Sequence, residues 1–144
     1  MLIGINPLLG PDLLAHLRAM GHGDELVIAD ANFPSSSVAR RLVRADGISA
    51  TQMLEAVASV LPLDSFVPAA VFVMEIVGGG GALAPITQEF RDIIAHQSQG
   101  KTPHVQGIER FAFYERARQA YAVVATGERR IYGNVILRKG IIEA

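Results

Sequence analysis

The chain contains no cysteine and no tryptophan, and only 6% of its 144 residues are aromatic. Without cysteine there is no disulfide framework and no thiolate metal or redox site. Charge is sparse and balanced, with thirteen Lys and Arg against fourteen Asp and Glu. That balance leaves no electrostatic footprint for nucleic acid or for an anionic membrane surface. No apolar run approaches the roughly 20 residues of a membrane span. The opening residues, MLIGINPLLGP, lack the basic start and cleavage site of a secretory leader. A cytoplasmic protein is expected.

What the chain has in quantity is apolar sequence, 50% of all residues. At this length that suits one domain, residues 1–144, with a sizeable core. It also points to a surface partly covered by other subunits. Helical and extended patterns alternate. Pro11 opens a helix through about Met20, with Leu13, Leu14 and Leu17 on one face and Gly21 as its stop. Residues 25–30 form a strand, whereas 38–43 fit either a strand or a turn of helix. Ser49 and Gln52 make a capping box for a helix to about Leu61. The apolar run from Ala69 to Val77 reads as a strand covered on both faces, followed by a tetraglycine turn at 78–81. Pro85 starts a helix carrying Ile86, Phe90, Ile93 and Ile94 on one side, and a polar exposed loop follows from Gln97 to Pro103. A short strand near His104–Ile108 and a helix over Arg110–Ala120 come next. Two strands, Tyr121–Ala125 and Ile131–Leu137, close the chain, joined by a turn at Gly127-Glu128. The pattern predicts an α/β fold, a single-domain layered α/β/α arrangement around a central mixed, mostly parallel sheet.

Residues 20–34, MGHGDELVIADANFP, carry the strongest local signal. His22 stands between two glycines, with an ordinary pKa near 6.5 that suits proton transfer. It could equally be a cation placed at a helix C-terminus. Asp30 ends the following strand, where ligands of α/β proteins gather but where loop-capping carboxylates are also common. The tetraglycine lacks the Lys-Ser/Thr ending of a phosphate loop and the spacing of a dinucleotide fingerprint, so a flexible turn is the expectation. In RFAFYE at 110–115 the aromatics fit a helix core and the charges a solvated face. Tyr132 and Asn134 would share one face of a strand by simple alternation. A phenol and a carboxamide side by side also offer the mixed donors and acceptors that a polyol needs.

Several of these segments together resemble the RbsD/FucU family of sugar mutarotases and pyranases, nearly end to end. The resemblance rests on MGHGDE at 20–25, DANFP at 30–34, VRADG at 43–47, LDSFVP at 63–68, RFAFYERA at 110–117 and TGERRIYGNVILRKG at 126–140. It implies His22 as the acid–base residue, Asp30 and Arg110 as sugar contacts, and Tyr132, Gly133 and Asn134 as the family's sugar-binding segment. Arg110 and the YGN sequence favour the fucose branch over the ribose branch, which has a Tyr-Ala-Asn segment. Asn32 departs from the histidine that some bacterial fucose enzymes carry after DA. The family's ring-shaped homo-oligomers, typically decamers, imply self-association with sites near subunit contacts.

The activity so implied is an isomerisation that needs neither cofactor nor metal. The α and β anomers of L-fucose interconvert through the open-chain aldehyde, with His22 shuttling the proton and Tyr132 as a second carrier. Asp30 would orient the sugar or the imidazole, Arg110 and Asn134 would hold hydroxyls, and Gly133 would allow close backbone approach. Phe111 or Phe113 would stack on the sugar ring. Two alternatives remain at this level: D-ribose pyranase activity through the same open chain, and a non-catalytic monosaccharide-binding oligomer.

Overall fold

Apolar residues recurring at helical and alternating spacing assemble into three layers. The computed structural model describes residues 1–98 and 103–143, so the centre of the expected polar loop at 97–103 lies outside the described residues. The described residues form α1 (Pro11–Ala19), β1 (Glu25–Ala29), α2 (Ser35–Val38), β2 (Leu42–Ala45), α3 (Ala50–Ala58) and β3 (Val71–Met74). They continue with α4 (Ile86–Gln97), β4 (Val105–Ile108), α5 (Arg110–Gln119), β5 (Ala122–Thr126) and β6 (Val135–Arg138). The capping box forms as its residues require: the Ser49 hydroxyl accepts the Gln52 N–H, and the Gln52 side chain accepts the Ser49 N–H.

The six strands lie in the order β2-β5-β1-β6-β3-β4. All neighbours pair in parallel except β6, which runs antiparallel to both β1 and β3. Alternation along each strand sorts side chains between two cores. Leu26, Ile28, Val71, Val73, Val124 and Leu137 meet Leu13 and Leu17 of α1, Met53 and Leu54 of α3, and Phe90 and Ile94 of α4. Val27, Phe72, Val123 and Ile136 meet Val38, Phe113 and Ala117 on the other side. The layered α/β/α fold is therefore as expected, but its faces are unequal. Three helices cover one, while the other has only α5 and the four-residue α2.

Two local expectations change. Residues 38–43 belong to no single element: Val38 ends α2 and Leu42 begins β2. The last two strands are not neighbours, because β1 lies between β5 and β6. Residues 127–134 are thus a loop crossing the end of β1 rather than a tight hairpin turn. A turn signal shows that the chain reverses, but not which strand it then pairs with. Here β1, buried on both faces, takes both as partners.

Candidate active site

The single reversed strand decides which loops share an edge of the sheet. The carboxyl ends of β1 to β5 meet the entry to β6 at one edge, and the amino ends meet its exit at the other. Asp30 follows β1 directly, and Asn134 directly precedes β6. Their link is reciprocal: the Asp30 N–H donates to Asn134 Oδ1 at 2.8 Å, and Asn134 Nδ2 donates to Asp30 Oδ2 at 3.0 Å. Oδ1 of Asp30 also accepts the Asn32 N–H at 2.9 Å. Burial pushes the Asp30 carboxyl above its usual range, and the Asn32 N–H and Asn134 amide only partly oppose it.

The crossing loop is stapled from within. The buried Glu128 carboxylate receives Arg130 Nε at 2.9 Å and Nη2 at 3.0 Å. These bonds outweigh the desolvation of Glu128 and lower its pKa to about 2. The Glu128 carbonyl accepts the Ala31 N–H at 2.9 Å, which ties the loop to the end of β1. A side chain on Gly133 would put Cβ 2.7 Å from Glu128 Cγ and 2.9 Å from the Arg130 carbonyl oxygen. Gly133 therefore permits a close approach of protein to protein. Tyr132 has a left-handed backbone, φ 61°, uncommon for a bulky residue, and its phenolic oxygen accepts the Val77 N–H at 3.3 Å. Arg110 opens α5 after β4, its guanidinium carbon 5.5 Å from the Tyr114 ring centre. Asp30, Arg110, Tyr114, Tyr132 and Asn134 line one cavity of about 210 Å³, small beside the roughly 300–1,000 Å³ of pockets for drug-sized ligands.

His22 occupies the opposite edge. Its Nε2 lies 3.2 Å from Oδ1 of Asp64, whose side chain is 1% exposed, while the imidazole itself is 46% exposed. Asp64 Oδ2 accepts Arg138 Nε at 3.0 Å, and Oδ1 accepts the Phe66 N–H at 3.0 Å. The Phe66 N–H does most to hold the Asp64 carboxyl below its usual range; bonds from His22 and Arg138 add to it against burial. The Phe66 ring stands edge-on to His22 at 5.8 Å. Gly23, with φ 85°, passes where a Cβ would lie 3.3 Å from the Arg138 guanidinium. Lys139 caps the end of α1, its ammonium donating to the carbonyls of Leu17 and Met20.

The expected residues thus divide into two groups. Asp30, Arg110, Tyr132 and Asn134 converge, while His22 stands at the far end of β1. The five residues of that strand alone span about 16 Å at roughly 3.3 Å each. Within one chain the carboxylate beside the imidazole is Asp64, not Asp30. Tyr132 and Asn134 do not share a strand face, because β6 begins only at Val135. Phe113 is fully buried and packs edge-on against Phe33 at 5.9 Å, so it cannot reach a ligand. Phe111 is exposed. Among the described residues no three His, Asp or Glu side chains cluster in a way that could hold a metal ion.

The sequence model of the RbsD / FucU transport protein family matches residues 3–142. The chain belongs to the RbsD/FucU family. The fucose mutarotase of Bos taurus is 48% identical to it, over 99% of this chain and 95% of the bovine one. The L-fucose mutarotase of Actinobacillus pleuropneumoniae is 45% identical, over 98% and 97% respectively. A crystal structure of the fucose mutarotase from Streptococcus pneumoniae in complex with L-fucose superposes with a TM-score of 0.88. It is 39% identical and matched over 99% of this chain and 100% of that one.

Three residues of this RbsD/FucU chain escaped the reading of single motifs. Asp64 and Arg138 sit inside LDSFVP and RRIYGNVILRKG, yet they meet only because β6 ends beside the bridge between Leu63 and Lys139. From sequence Glu128 reads only as a turn residue. Its signal was the arginine two positions on, which folds back on it once the loop is built.

Proposed function

We propose that this chain is an L-fucose mutarotase, an isomerase that interconverts the α and β anomers of the free sugar. The observation that carries the reading is the convergence of Asp30, Arg110, Tyr132 and Asn134 on a small cavity, in a chain about 45–48% identical to proteins of that name. Asp30 and Asn134 hold each other in place and present acceptor and donor atoms to sugar hydroxyls. Arg110 adds a donor fork, and Tyr132 a hydroxyl that can pass a proton. The reaction is a proton relay. A base takes the proton of the anomeric hydroxyl, the bond from C1 to the ring oxygen breaks, and the ring oxygen gains a proton. Rotation of the aldehyde and the reverse steps close the other anomer. His22, neutral or protonated near physiological pH, suits both transfers.

One chain cannot bring His22 to the sugar held at Asp30. The proposed enzyme is therefore a homo-oligomer, a ring and by resemblance a decamer, in which His22 of one copy completes the cavity of another. Both half-sites have exposed apolar rims that suit such contacts: Phe66, Ile141 and Ile142 near His22, and Val77, Phe111 and Ile131 near Tyr132 and Arg110. Among the described residues no helix is long and apolar enough to cross a membrane. Cytoplasmic residence forms part of the same proposal.

Saturation-transfer NMR on L-fucose, with D-ribose as control, tests the activity. Faster exchange between the α and β signals of fucose is the expected result. Acceleration confined to ribose pyranose–furanose exchange would move the chain to the pyranase branch, and no acceleration on either sugar would leave a binding protein.

A further inference from the structure

We propose that Asp30 is a second catalytic residue, whose carboxylate takes the proton of the anomeric hydroxyl in the same step in which His22 of another copy gives one to the ring oxygen. The inference rests on the mutarotase reading and divides its proton relay between two groups. Ring opening moves two protons in opposite senses, one off O1 and one onto the ring oxygen. A base and an acid placed at the two oxygens move both at once. Asp30 has the geometry of the base. It is buried and lines the cavity with Arg110, Tyr114, Tyr132 and Asn134. Oδ1 accepts the Asn32 N–H at 2.9 Å and Oδ2 accepts Asn134 Nδ2 at 3.0 Å, and each oxygen keeps a further lone pair.

Its partners hold it in place without neutralising it. Asn134 cannot turn its amide round, because its Oδ1 is already taken by the Asp30 N–H. Among the described residues no cation lies within ion-pair distance of Asp30; a guanidinium there would stabilise the anion and weaken it as a base. Burial instead raises the proton affinity of the carboxyl, toward the basicity that general catalysis near neutral pH favours. The relay balances. On opening, the O1 proton passes to Asp30, a double bond forms between C1 and O1 as the bond to the ring oxygen breaks, and that oxygen takes the imidazolium proton. The aldehyde turns about the bond from C1 to C2. Neutral His22 then takes back the proton of the former ring oxygen as that oxygen attacks C1, and Asp30 returns its own to O1. Both groups end as they began.

Saturation-transfer NMR on L-fucose, with the full chain as it assembles, reads kcat and KM. Asp30→Asn should lower kcat about 10²- to 10⁴-fold while KM stays within a few-fold of the parent's. In Asp30→Ala, added acetate should restore exchange, and do so better than fluoroacetate, an anion of nearly equal size and weaker basicity. In the parent, kcat across mixtures of H2O and D2O should curve, since two protons move in the one step. A straight line would overturn the proposal without any variant. So would an Asp30→Asn chain that keeps kcat and raises KM, the mark of a contact alone, or equal rescue by both anions. Failure of the mutarotase reading looks different: the parent then shows no anomer exchange on any sugar, and both readings fall together.

Discussion

Asp30 and Asp64 stand at opposite ends of the same sheet and are almost equally buried, at 4% and 5% exposure. Their carboxyls are nevertheless pushed in opposite directions, Asp30 upward and Asp64 downward. Desolvation penalises either charge, but it is the largest influence at Asp30, whereas at Asp64 it is outweighed by the Phe66 N–H, the imidazole and the guanidinium. Asp30 is held by amide donors, and among the described residues no cation lies within ion-pair distance of it. Asp64 has a backbone N–H, a guanidinium and an imidazole. One end keeps an acceptor that holds its charge into more acidic solution than an ordinary aspartate. The other keeps a carboxyl of raised proton affinity facing a cavity lined by both polar and apolar side chains. Equal exposure at the surface therefore implies neither equal desolvation nor equal partners for a carboxylate.

The comparison breaks most visibly if the two ends belong to one working site in the oligomer. His22→Ala and Asp30→Asn should each lose most of the acceleration, about 10²- to 10⁴-fold for the acid–base residue. Mixed oligomers assembled from equal amounts of the two variants should regain about a quarter of parent activity, the share of random heterologous contacts that pair two intact halves. Anomer exchange in co-expressed variants checks this, and a mixture as inactive as its components would place both residues of the site in one chain.

A smaller effect probes the stapled loop that holds Asn134 against Asp30. Gly133→Ala must displace Glu128 or the Arg130 carbonyl, at a cost of about 1–3 kcal/mol. Thermal unfolding should show Tm lower by several degrees, whereas Gly47→Ala, with open space around it, should leave Tm nearly unchanged.

The smallest effect sharpens the aspartates themselves. A carboxyl with a raised folded pKa gives most stability in acid, and loses it as pH rises from the ordinary aspartate value near 3.9 through the folded one. A depressed pKa gives stability that is complete above about 3.9 and fades as pH falls through the folded value. Relative to the parent, Asp30→Asn should therefore gain stability as pH climbs above about 4. Asp64→Asn should lose ground as pH rises toward about 4 and then stay level. Denaturant midpoints across pH check both, and slopes of equal sign would remove the distinction.

Much of the fold was legible because its signals are local. The Ser49–Gln52 box, Pro11, Pro85 and the stripe Ile86, Phe90, Ile94 each act within a few turns of chain, and each element formed where they indicate. The Asp30, Arg110, Tyr132, Asn134 grouping was legible only through the resemblance, since these residues come from three separate segments of the chain. Phe113 misled because periodicity marks a face as apolar without saying whether core or ligand covers it. The face shared by Tyr132 and Asn134 failed because the backbone turns left-handed at Tyr132, which alternation cannot register.

By itself the sequence determined most of the elements, the two-sided burial of β3, and the family, because periodicity, caps and long motifs are written in neighbouring residues. Only the tertiary structure decided that β6 runs backwards between β1 and β3. That single reversal sends Asn134 to Asp30 and Arg138 to Asp64. The proposed acid–base histidine and the proposed sugar contact Asp30 flank β1 and stand a strand apart, while hydrogen-bonded register, not sequence distance, fixes which other loops meet each of them.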